Sequence, residues 1–117
     1  MLYFSYGSFL DSETLSKHCP KAAYICKAIL PNWEVQFNFL SSTYKRGVTE
    51  IEPATARPTR GVLYEVNDVK AATYRTTNPG GPFKPTKRYL GLMIKGAIEH
   101  SLDPNYVKGL STVETVD

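Results

Sequence analysis

The sequence predicts an α+β fold: a small, mostly antiparallel β-barrel-like sheet flanked by one helix early in the chain and two at its end. Three observations carry that prediction. Trp33, Val35, Phe37 and Phe39 alternate with Glu34, Gln36 and Asn38, the period-2 pattern of a strand with one wet face. Tyr89, Leu92, Met93, Gly96, Ala97 and His100 recur at helical spacing. Proline and glycine breakers at Pro20, Pro31, Pro53 and Asn78–Pro85 bound the segments between them.

The elements follow in order. Leu2–Tyr6 is an aromatic, β-prone strand that stops at Tyr6-Gly7-Ser8. Asp11 caps a helix through Cys19, with Glu13 favourably placed in its first turn, and Pro20 ends it. Ala22–Leu30 is a strand that Trp33–Leu40 continues, Pro31 marking a bend or bulge. Ser41–Arg46 is a polar loop, and Val48–Glu52 a short strand stopped by Pro53. Arg60–Val66 is a further strand. Asn67-Asp68 turns it into a hairpin with Val69–Thr76. Thr86 caps the helix that runs to His100. Gly91 and Gly96 each lower its propensity by about 1 kcal/mol, so they either pack closely on the sheet or serve no packing purpose. Asp103 caps a last helix with Pro104 at its first position, and Leu102 and Val107 are spaced as a hydrophobic staple.

A chain of 117 residues forms one domain, 1–117, long enough to bury a core without covalent staples. At 42% hydrophobic and 21% charged it has the composition of a soluble globular protein. The net charge of +3 is scattered, with tight basic pairs only at Lys45-Arg46 and Lys87-Arg88, so no nucleic-acid partner is expected. No apolar run reaches about 18 residues, and no charged n-region precedes an apolar stretch, so neither a membrane span nor a secretory signal is expected. Cys19 and Cys26 read as reduced thiols of a cytoplasmic protein. No metal-ligand spacing occurs, and no metal or cofactor is expected.

The opening stretch is the richest in chemistry. A strand that ends at a glycine turn and passes at once into a helix gathers backbone N–H groups able to hold a carboxylate or phosphate. The plainer alternative is a structural turn in which Gly7 supplies a positive φ. His18 and His100 read as surface or helix-end residues, His100 suiting a helix C-terminus.

Read together, the motifs resemble the γ-glutamylcyclotransferase family. Members begin with an aromatic strand, Tyr-Gly-Ser and Asn-Leu; here the stretch is Tyr3-Phe4-Ser5-Tyr6-Gly7-Ser8-Phe9-Leu10. Their central Gly-Val-x-Tyr strand corresponds to Gly61-Val62-Leu63-Tyr64. Their late motifs correspond to Pro85-Thr86-Lys87-Arg88-Tyr89, Gly96-Ala97 and Leu102-Asp103-Pro104-Asn105-Tyr106, and Tyr74 with Thr77-Asn78 matches the strand before the last loop. The resemblance implies a small mixed β-barrel and a lyase-type cyclisation. In it the α-amino group of a γ-glutamyl substrate attacks its own γ-carbonyl and 5-oxoproline leaves. It further implies that Tyr6, Gly7, Ser8 and Phe9 form the substrate-binding stretch, and that Tyr74 matches a tyrosine of the catalytic pocket, although a core tyrosine fits that position equally.

Two departures bear on activity. Phe9 stands where the family has Asn, which removes a polar group near the loop. The Leu-Asp-x-x-Glu-Gly segment that carries the family's catalytic glutamate has no counterpart, since Glu65-Val66-Asn67-Asp68-Val69-Lys70 leads straight to the Tyr74 strand. Glu50, Glu52, Glu65 and Asp68 are the nearby carboxylates. Glu65, next to the matched strand, is the candidate substitute base, against the commoner role of a solvated strand-end carboxylate. Three functions follow: a γ-glutamyl-processing enzyme, a repurposed pocket running an isomerisation, cyclisation or elimination in small-molecule biosynthesis, or a non-catalytic binding protein. In the last, a missing strand leaves an edge that a second copy covers as a homodimer.

Overall fold

A computed structural model describes residues 1–40, 47–55, 58–66 and 84–117 of the chain. Strand β1 (Leu2–Ser5) leads through a 3-10 turn at Ser8–Leu10 into helix α1 (Ser12–His18). Strands β2 (Ala23–Leu30), β3 (Trp33–Leu40), β4 (Gly47–Pro53) and β5 (Thr59–Glu65) follow, then helices α2 (Lys87–Glu99) and α3 (Pro104–Ser111).

The helix starts are set by their caps. Asp11 Oδ2 accepts from the Thr14 N–H (3.1 Å), Thr86 Oγ1 from Tyr89 (3.1 Å) and Asp103 Oδ1 from Asn105 (2.8 Å). Each side chain satisfies an N–H that the first helical turn leaves without a carbonyl. The apolar stripe of α2 turns Leu90, Met93, Gly96 and Ala97 inward.

All described strand pairs are antiparallel, as expected, but they form two sheets, ordered β1-β5-β2 and β3-β4, rather than a closed barrel. Pro31 and Asn32 do more than bend one long strand. Asn32 takes φ 63°, and the chain passes there from the first sheet to the second. The register shift in β2 lies instead between Tyr24 and Cys26. The Thr59 hydroxyl donates to the Trp33 carbonyl (2.7 Å) and ties the sheets together. The expected hairpin strand Val69–Thr76 lies outside the described residues.

Central strand β5 carries Val62 and Tyr64 into the core, where they meet Leu10, Leu15, Met93 and Ala97. The full burial of Leu10, Val62 and Met93 places the core between the first sheet, the 3-10 turn and α2. Truncating one such side chain costs about 2–5 kcal/mol. No described helix is long and apolar enough to cross a membrane.

Candidate functional site

The Tyr6-Gly7-Ser8 loop is held from three sides. On the first, β1 delivers it: Ser5 pairs with Val62, and Tyr6 is buried with its ring 6.0 Å from that of Phe4. On the second, the 3-10 turn fixes its exit, the Leu10 N–H donating to the Gly7 carbonyl (3.0 Å) and the Asp11 N–H to that of Ser8 (3.2 Å). The N–H groups of Ser8 and Phe9 precede the first bond of that turn, as the leading donors of any helix do.

On the third side, β4 and α2 close against the loop. The Tyr89 and Thr49 hydroxyls are hydrogen-bonded (2.9 Å), and the Thr49 N–H donates to the Tyr89 hydroxyl (3.3 Å). A Cβ on Gly7 would lie 2.6 Å from Thr49 Oγ1 and 3.1 Å from the Tyr89 oxygen. Close approach is therefore what demands glycine here. The positive φ expected of a structural turn is absent, since Gly7 takes φ −105°. In the sequence Tyr89 belongs to the Pro85–Tyr89 motif and to a helical stripe, and neither it nor Thr49 is marked as a neighbour of the loop. The Pro85–Tyr89 motif was the only available signal, and β4 gave none.

Beside the loop, Asp11 anchors α1. Its carboxylate accepts from Thr14 N–H and Oγ1 (3.1 and 2.6 Å) and pairs with Lys95 of α2 (3.0 Å). Burial pushes this carboxyl up, but Thr14 and Lys95 more than offset that and hold it below the ordinary carboxylate value. It is thus committed to structure and poorly suited to accept a proton.

Ser8 is half-buried in the loop. Phe9 packs its ring 5.0 Å from His18 and 6.4 Å from Tyr3. Glu65 is not brought to the loop. It lies opposite Leu2, at the other end of β1 from Tyr6, about 13 Å away at strand rise. Its exposed carboxylate pairs there with the Met1 ammonium (2.7 Å). Tyr74 and Asp68 lie outside the described residues. Glu50 and Glu52 alternate along β4 with Thr49 and Ile51, opposite Gln36 and Glu34. The described residues include no group of three or more His, Cys, Asp or Glu placed to hold a metal.

No family model matches the sequence. A human protein described as γ-glutamylcyclotransferase is 26% identical over 152 residues, spanning 99% of this chain and 80% of that protein. That aligned stretch exceeds the 117 residues of this chain, so the relative carries residues with no counterpart here. A solved structure titled γ-glutamyl cyclotransferase matches with a TM-score of 0.88 at 23% identity, over 100% of this chain and 89% of the other. A crystal structure of an uncharacterised human protein matches at 0.86 and 26% identity, over 99% and 89%. YkqA from Bacillus subtilis matches at 0.69 and 18% identity, over 98% of this chain and 55% of that one. In fold, and in sequence over nearly its whole length, the chain is γ-glutamylcyclotransferase-like.

Proposed function

We propose that the chain processes a γ-glutamyl amine, peptide or glutathione adduct by intramolecular cyclisation. The substrate's α-amino nitrogen bonds to its γ-carbonyl carbon, the γ-amide C–N bond breaks, and the two protons that the α-ammonium gives up leave on the departing amine as its ammonium, releasing 5-oxoproline. The observation that carries this reading is the loop itself. Within a γ-glutamylcyclotransferase-like fold, Gly7 is pressed against the Thr49–Tyr89 hydroxyl pair, and the leading N–H groups of the 3-10 turn adjoin it. Those donors suit the carboxylate of a glutamyl group.

In this reading Tyr74 completes the pocket, and Glu65 is the proton carrier, a role that requires it both to leave the Met1 ammonium and to reach the loop from the far end of β1. Incubation with a panel of γ-glutamyl amides, with 5-oxoproline followed by mass spectrometry, tests it. Release that Glu65→Gln abolishes supports the whole assignment. Release that survives Glu65→Gln moves the proton step elsewhere, and no release across the panel removes the enzymatic reading.

The position of Glu65 at the far end of β1 favours a second reading, a pocket that binds γ-glutamyl compounds without turning them over. Saturable binding without 5-oxoproline distinguishes it. A homodimer belongs to the same proposal. Among the described residues β1 and β2 are the outer strands of their sheet, and a second copy would cover such an edge. A monomer mass by light scattering removes that part.

A further inference from the structure

A cleft of about 830 Å³ opens between α1, β2 and the C-terminal end of α2, and it shares no residue with the Tyr6–Phe9 loop. Its wall is organised. Tyr24 stacks on His100 with ring planes 5° apart and centroids 5.5 Å apart. The Tyr64 hydroxyl is hydrogen-bonded to His100 Nε2 (3.2 Å), which fixes the imidazole. Tyr24 remains 53% exposed, so its ring offers a fixed aromatic surface to the cleft.

Beside that surface a carboxylate is held in place, with the Lys27 ammonium also lining the cleft. Glu99 accepts from the Ser12 N–H (3.2 Å) and from the Ser12 hydroxyl. The Ser12 hydroxyl leads the causes that keep this carboxyl below its ordinary value, so it stays ionised. Glu99 to Ser101 also form the carbonyl end of α2, the negative end of the helix dipole. An ammonium already docks there, Lys27 Nζ donating to the Ser101 carbonyl (3.1 Å).

We propose that this cleft is a second binding site, for a small organic cation that carries an aromatic ring. The ring stacks on Tyr24, and the cationic group pairs with the Glu99 carboxylate, on the side away from the Lys27 ammonium. An aromatic face beside a fixed carboxylate favours a cation over a neutral or anionic molecule of the same shape. The site does not depend on the γ-glutamyl reading, because none of its residues belongs to the loop.

Titration of the full chain with benzylamine, followed by two-dimensional NMR, tests the site, with benzoate as the control of equal ring and opposite charge. The expected result is saturable shifts centred on Tyr24, His100 and Glu99, with a Kd of about 1–10 mM. Tyr24→Leu, at a half-exposed position that tolerates it, should weaken binding by about two- to fivefold. Glu99→Gln, which can keep a bond to Ser12, should do the same. Absence of saturation, equal binding of benzoate, or binding that neither variant weakens would each overturn the proposal.

Discussion

Gly96 is where the loop's support can be tested by a single carbon. Helix α2 crosses the 3-10 turn so closely there that a Cβ on Gly96 would lie 2.1 Å from the Leu10 carbonyl carbon, 2.2 Å from its oxygen and 2.4 Å from the Asp11 nitrogen. All three are backbone atoms, so no side-chain rotation relieves the overlap. The helix must retreat by about 1.4 Å to restore ordinary contact. Gly91, on the same helix, has nothing within 4 Å of the equivalent position, and neither glycine has a positive φ. Alanine at either site gains about 1 kcal/mol of helix propensity. At Gly96 that gain is outweighed by overpacking at the upper end of the usual range, about 2–3 kcal/mol, because the overlapped atoms are backbone and Leu10 is fully buried beneath the helix. Gly96→Ala should therefore lose about 1–2 kcal/mol net, while Gly91→Ala gains up to about 1 kcal/mol. With a urea m-value of about 1.5 kcal/mol/M, the midpoints move by about −1 M and about +0.5 M respectively. Urea unfolding followed by circular dichroism reads both. A Gly96→Ala variant as stable as Gly91→Ala would refute the close crossing and the support it gives the loop.

Three further expectations follow. Tyr89→Phe removes the partner of Thr49 Oγ1 and N–H and should lower stability by about 1 kcal/mol in the same urea unfolding. Gly7→Ala should be destabilising by about 1–3 kcal/mol through contact with Thr49 Oγ1, and Thr49→Ala in the same chain should recover part of that loss in thermal melts. Asp11 and Glu99 both have carboxyls held below their ordinary values, Asp11 by Thr14 and Lys95 against its burial, and Glu99 chiefly by Ser12. Their stabilisation is present above the unfolded-state pKa and is lost as pH falls through the lower folded-state values. Tm should therefore decline below about pH 4.5, and Asp11→Asn should flatten that decline; an unchanged pH profile would contradict the assignment.

Local rules made the helix starts legible. Asp11, Thr86 and Asp103 each stand where a side-chain oxygen meets an N–H two or three residues on, a relation confined to one turn. The alternation of residues 33–40 marked β3, and the stripe on α2 marked the face that buries Met93 and Ala97. The same local signals, with the resemblance in motifs, pointed to the overall fold.

Tertiary structure decided what lies beside what. The order β1-β5-β2 places Glu65 with Met1 rather than with the loop, because antiparallel register carries a strand's last residue to its partner's first. Gly96 approaches the 3-10 turn rather than the sheet, and Gly7 owes its identity to Thr49 and Tyr89, partners more than 40 residues away. His100, without a partner in sequence, gains Tyr64 and Tyr24 from two strands. A cap or a periodic face is written within a few residues by backbone geometry. Contacts across the chain depend on register and helix crossing, and no short stretch of sequence specifies them.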